Sequence, residues 1–134
     1  MTTVLDSSAL LAMHIDGPLR AIVSDALNND TEWVACAVSL PECIAAAARI
    51  VEDPTLARLL EDGIRHTWDF LHVVPVDQTL LDEAAHLSTT QPVGIATALQ
   101  LAAAARMPKP MRYVTFDAAH IPVALSLGFD VVSG

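Results

Sequence analysis

Three carboxylates stand where short apolar runs give way to helix-forming sequence. Asp6 follows Val4-Leu5, Asp117 follows Val114-Thr115-Phe116, and Glu42 comes shortly after the run from Trp33 to Val38. Open parallel sheets bind their ligands beyond the carboxyl ends of the strands, so a parallel arrangement would gather the three acids at one edge. Like charges brought together are costly unless a cation sits among them, and an all-oxygen donor set suits Mg²⁺ or Mn²⁺. Each acid also has a plainer reading. Asp6 and Asp117 are good N-caps, contributing about 1 kcal/mol each. Glu42 stands three residues after Ser39, the spacing of a capping box. Capping explains each acid singly; three acids at three strand–helix junctions favour a metal site.

The elements that would position these acids follow from the pattern of the chain. Residues 2–5, 33–38, 72–76, 112–116 and 129–132 read as short buried strands, apolar or β-branched without clean alternation. Between them the spacing predicts helices over residues 7–13, 19–27, 43–51, 54–71, 78–87, 93–106 and 118–127. Asp53-Pro54 and Asp77 supply starts, and Gly128 supplies a stop. In the helix at 54–71, Leu56, Leu59, Leu60, Ile64, Thr67, Trp68 and Leu71 recur as one apolar stripe. Strands alternating with helices predict an α/β fold: a three-layer sandwich whose mostly parallel central sheet is flanked by helices. No linker or repeat divides residues 1–134, which read as one domain.

Composition narrows the classes of function. The 134 residues carry 7 Lys+Arg against 16 Asp+Glu, a formal charge of −9, too few cations for a protein that coats nucleic acid. Most of the acids are there to keep a chain with 53% hydrophobic residues soluble. No apolar run reaches the ~20 residues that span a bilayer, and the expected compartment is the cytoplasm. Cys36 and Cys43 are too few for a disulfide framework or a zinc site and read as small buried hydrophobes. His14, His66, His72, His86 and His120 match no compact zinc motif; only His120, three residues after Asp117, is near enough to approach the acids. Trp33 and Trp68 read as core or dimer contacts. The basic group Arg106, Lys109 and Arg112 falls at the opposite edge of the predicted sheet. Arg49, seven residues after Glu42 on the same helix face, could touch a phosphate, or it could equally be a solvated helix arginine.

The stretches Val4-Leu5-Asp6-Ser7-Ser8-Ala9-Leu10, Ser39-Leu40-Pro41-Glu42 and Val114-Thr115-Phe116-Asp117 resemble, in order, the PIN-domain proteins, especially the VapC-type toxins of toxin–antitoxin pairs. The resemblance implies a Mg²⁺- or Mn²⁺-dependent endoribonuclease acting on RNA, with Asp6, Glu42 and Asp117 as catalytic metal ligands. It further implies a homodimer and inhibition by a small antitoxin with an arginine-bearing tail. One family position departs. Thr97 stands where the family has an acid, and Gln100 where it often has histidine. A threonine hydroxyl ligates Mg²⁺ weakly and removes one negative charge. Ser8 and Thr97 are then hydroxyls that orient water or a carboxylate, and Thr97→Asp would be expected to restore the missing ligand. The competing reading is a catalytically lapsed PIN-like module that binds a partner or RNA. A receiver-like phosphoacceptor domain fares worse, because the opening acids are unpaired and no Lys follows a late strand.

Overall fold

Extended apolar residues that must bury both faces can do so only inside a layered fold, and β1 (Thr2–Leu5) is buried throughout. A computed structural model describes residues 1–134. β1 pairs in parallel with β2 (Glu32–Cys36) on one side and β4 (Met111–Val114) on the other. β3 (His72–Val74) and β5 (Asp130–Val132) complete a five-stranded, all-parallel sheet in the order β3-β2-β1-β4-β5. Successive side chains of a strand point to opposite faces, so Val4, Val34, Cys36 and Tyr113 enter one core while Leu5, Ala35 and Val114 enter the other.

The second core is closed by α1 (Ser7–Ala12), α2 (Pro18–Asn28), α3 (Ser39–Ile50) and α4 (Pro54–Trp68). The first is closed by α5 (Gln78–Thr90), α6 (Ile95–Ala105) and α7 (Ile121–Ser126). Alanines at 98 and 102–104 let α6 lie close to the sheet, all four being buried. The chain moves outward from β1 through β2 to β3, then returns across it to β4 and β5. That reversal makes the β1–β4 boundary the switch point, where such sheets open a crevice. Asp6 lies immediately beyond β1 and Asp117 three residues beyond β4.

Two expectations need correction. α3 starts at Ser39, four residues earlier than its alanine run suggests, because Pro41 is compatible with a first helical turn. Val38 is its N-cap and makes no side-chain capping bond, while the Ser39 hydroxyl is buried without a partner, so there is no capping box. The predicted stripe of α4 is also only partly used. Ile64 is buried, but Leu56 and Leu59 are 55% and 62% exposed. α4 touches the turn that follows α1 at Gly63, where a Cβ would meet His14 Nδ1 at 3.3 Å, and at Thr67, whose hydroxyl lies 3.1 Å from His14 Nε2. Its first two turns extend past the core.

Candidate functional site

Asp6 is the centre of the crevice and is 1% exposed. As N-cap of α1 its Oδ1 accepts from the Ala9 amide (2.8 Å) and from the Ser8 hydroxyl (2.7 Å). Its Oδ2 accepts from Thr115 Oγ1 at 2.5 Å. Burial pushes the Asp6 carboxyl above the usual aspartate range, and the Thr115 and Ser8 hydroxyls and His120 counter part of that shift. Ser8 also accepts from the Phe116 amide (2.9 Å), which ties α1 to the loop carrying Asp117. A cap is therefore only part of what Asp6 does.

Glu42 lies in the first turn of α3 and is half-buried. Its Oε1 accepts from Ser7 Oγ and from Gln100 Nε2 (2.8 Å). Gln100, fully buried on α6, also donates to the Ala96 carbonyl (3.1 Å) and accepts from the Ser7 amide (2.8 Å). Asp117 is the open member, with a side chain 51% exposed. Its Oδ1 accepts from the Ala119 amide at 3.0 Å, and its own amide donates to Thr115 Oγ1 at 3.1 Å.

His120, the N-cap residue of α7, is buried between Asp6 and Asp117. Nδ1 lies 2.9 Å from the Tyr113 hydroxyl and 3.4 Å from Asp6 Oδ2. Nε2 lies 3.3 Å from Thr97 Oγ1 and 3.7 Å from Asp117 Oδ2. Burial, reinforced by the charges of Asp6, Cys36, Glu42 and Asp117, raises the Tyr113 phenol well above its ordinary value, so it keeps its proton. The Tyr113 hydroxyl has no hydrogen-bond partner other than His120 Nδ1.

Asp6, Glu42 and Asp117 thus share the carboxyl edge of the sheet, with Ser8 on Asp6 and Thr97 on His120. They are joined by hydroxyls, an amide and an imidazole. No three Asp, Glu, His or Cys side chains stand close enough together to hold a metal ion. Asp6 accepts three donors from within the chain and Glu42 two, both on Oε1; in this arrangement the acids are not gathered into the oxygen ligand set that Mg²⁺ or Mn²⁺ takes. Arg49 is exposed at the far end of α3, about 10 Å along the helix from Glu42 at 1.5 Å per residue. Cys43, next to Asp6 and Glu42, is buried, and its thiol is pushed up to about 12, which leaves it unreactive.

Sequence reasoning noted Gln100 only as a departure from the family's usual histidine, passed over Tyr113 and gave His120 little weight. Two signals were present: Gln100 is a polar residue in an otherwise apolar helix, and His120 lies one turn after Asp117. Beside the site, Ser8 and Phe116 border an apolar cleft of about 350 Å³ lined by Leu11, Ile15 and Leu19.

Among solved structures, the chain is similar to VapBC2 from Rickettsia felis bound to a promoter DNA fragment, with a TM-score of 0.70, 11% identity, and 100% of this chain and 99% of that one covered. It is similar to FitAcB from Neisseria gonorrhoeae, with a TM-score of 0.69 and 13% identity over 97% and 96%. A toxin–antitoxin complex from Klebsiella pneumoniae gives a TM-score of 0.66 and 12% identity over 89% of each chain. No curated protein sequence matches. At such identities these likenesses establish the fold alone. The model of the PIN domain family matches residues 3–134, and with that match over nearly its whole length the chain belongs to the PIN-domain family.

Proposed function

We propose that this PIN domain is the toxin-like member of a cytoplasmic toxin–antitoxin-type pair, in which partner binding persists while metal-dependent cleavage of RNA is weak or lost. The observation that carries this reading is the state of the acids. No group of three Asp, Glu, His or Cys side chains that could hold a metal ion forms, and Thr97, a neutral hydroxyl, lies against His120 at 3.3 Å where a further acid would be needed. The similarity to toxin–antitoxin complexes supports an antitoxin partner.

The chemistry of that partner follows from the surface. The chain carries a net charge of −9, and Asp117 leaves a half-exposed carboxylate at the pocket mouth. A small antitoxin whose apolar segment fills the Leu11–Ile15–Leu19 cleft would place an arginine from its tail among the acids, where guanidinium pairs well with carboxylate. Exposed Leu56 and Leu59 on α4 are further apolar surface, consistent with two copies pairing.

An active Mg²⁺- or Mn²⁺-dependent endoribonuclease is the second reading, favoured by all three acids lying at the switch-point edge. One experiment separates the two. The chain is purified with the small protein encoded beside its gene, the complex is measured by light scattering, and free chain is incubated with a structured RNA and Mn²⁺. A stable complex weakened by Asp117→Ala, without RNA cleavage above a chelator control, is the expected result. Chelator-sensitive cleavage would establish the nuclease instead.

A further inference from the structure

One wall of the apolar cleft belongs to no helix or strand: Ile15, Asp16 and Gly17 lie in the turn between α1 and α2. Resting on the reading of that cleft as the seat of an apolar partner segment, we propose that His14 is a pH-sensitive latch for this wall. While neutral it is seated on α4 and holds the turn in the shape that accepts the segment. When protonated it leaves its seat, and the cleft loosens.

The turn is weakly held beyond His14. The Ile15 amide reaches the Ala12 carbonyl at 3.4 Å, and no backbone bond follows from the amides of Asp16 and Gly17. Asp16 is almost fully exposed and meets only Arg20, at 2.9 Å. Gly17 has φ +150° with open space where a Cβ would stand, a backbone that favours glycine and turns easily. The seat of His14, by contrast, is built. On α4, Gly63 leaves the room that the ring takes, since a Cβ there would stand 3.3 Å from Nδ1. Thr67, one turn on, sets its hydroxyl 3.1 Å from Nε2. Glycine weakens a helix interior, and this close approach accounts for one in the middle of α4.

The bond to Thr67 tolerates either tautomer and either protonation state, because a hydroxyl both accepts and donates. The surroundings of the ring do not. Burial lowers the His14 pKa from its ordinary value of 6.5, and the Arg20 charge on α2 lowers it further. From α4 the ring meets Gly63 and Thr67, neither of which is charged. Seated His14 is therefore neutral at pH 7. A ring released into water regains the ordinary value, so it binds a proton more tightly than the seated one. The seated form is favoured above pH 6.5 and loses ground as the pH falls below it.

The neutral dye Nile red is the probe, its binding read by fluorescence between about pH 7.5 and about pH 5.5. Wild-type affinity is expected to weaken about threefold or more over that range, as the seated fraction falls. His14→Gln still reaches Thr67 and cannot titrate, so it is expected to bind throughout as wild type does at the upper end. His14→Ala has no latch and is expected to bind throughout as wild type does at the lower end. A flat wild-type profile would overturn the proposal, and so would His14→Ala binding as tightly as wild type. A slope that survives in both variants would overturn it too, and would point to Asp6, raised by burial and joined to the cleft through Ser8. Methyl resonances of Ile15 and Leu19 test the wall with no ligand present. They are expected to move with the titration of His14, at a midpoint below 6.5; resonances fixed through that titration would overturn the latch. The partner's seat is tested apart from it. If Leu19→Glu leaves binding of the small protein encoded beside the gene unchanged, the reading of the cleft falls, while the dye and methyl profiles still decide the latch.

Discussion

The two ends of the central sheet treat buried carboxylates in opposite ways. Asp30, before β2, has a side chain 2% exposed, comparable with the 1% of Asp6. Asp30 is met by the Arg112 guanidinium at 3.0 Å, by the amino terminus at 3.7 Å and by the Thr3 hydroxyl. Asp6 receives hydroxyls, an amide and, at 3.4 Å, the His120 imidazole, and no Lys or Arg pairs with any of the three acids at its edge. Burying an ion without a counter-ion is costly, and the Asp6 carboxyl, raised by burial, bears that cost. One edge is neutralised for stability. The other has no Lys or Arg on its acids, which leaves room for an external cation or cationic side chain. It also explains why the basic cluster Arg106, Lys109 and Arg112 is no free patch: its members pair with Asp77 and Glu83, the Leu127 carbonyl, and Asp30.

The largest effect should come from breaking the neutralised edge. Arg112→Ala strands Asp30 with only the amino terminus and Thr3. Removing one member of a fully buried pair costs about 3–5 kcal/mol, and with Arg112 a quarter exposed the expected loss falls at or below the foot of that range, about 2–3 kcal/mol. Urea unfolding should show the midpoint falling with an unchanged slope; a change within error would mean that Asp30 finds equivalent solvation without the guanidinium.

At the opposite edge the next effect is Thr115→Val, a near-isosteric change in a fully buried side chain. It removes the donor to Asp6 Oδ2 and the acceptor of the Asp117 amide, so a loss of about 1–2 kcal/mol is expected at pH 7. Asp6→Asn should act in the opposite direction. Asn caps α1 as well as Asp does, and it removes a desolvated charge, so stability at pH 7 should rise by about 1 kcal/mol. The sign with pH follows from the raised pKa. The folded state binds the Asp6 proton more tightly than the unfolded chain, whose carboxyl has its ordinary value of 3.8, so wild-type stability falls as pH rises through the folded value. The advantage of Asp6→Asn should therefore shrink as pH is lowered through that window, and a gain that is constant with pH would contradict the assignment.

The same contrast explains which features could be read from the chain. The five strands and the shared edge for Asp6, Glu42 and Asp117 follow from local pattern plus the parallel-sheet rule, because each acid is adjacent in sequence to the element that places it. The partners of those acids do not. Glu42 meets Ser7 across 35 positions and Gln100 across 58, and Thr115 reaches Asp6 across 109. Spacing that suggested a Ser39–Glu42 capping box was overridden because Glu42 found stronger donors on α1 and α6. His120 was visible as one turn beyond Asp117, but its inward direction depends on Tyr113 alternating into the same core face. Leu56 and Leu59 looked like core for the reason that helical spacing records which residues share a face and says nothing of where the neighbouring helix ends.

The smallest effect sharpens the comparison from its exposed side. Arg106 bridges Asp77 Oδ1 at 3.4 Å and Glu83 Oε1 at 3.5 Å, with all three side chains open to water. Asp77 is held below its usual range first by the Leu80 amide it caps, and only then by Arg106. Ordering long side chains offsets the weak attraction of such solvated pairs, and salt screens what remains. Arg106→Ala should leave the melting temperature unchanged within error, and raising the ionic strength should not separate the variant from wild type. Arg112→Ala, by contrast, should stay destabilised at high salt, because its partner carboxylate is shielded from solvent. If Arg106→Ala instead lowered the melting temperature as much as Arg112→Ala, burial of the carboxylate would no longer account for the difference between the two ion pairs.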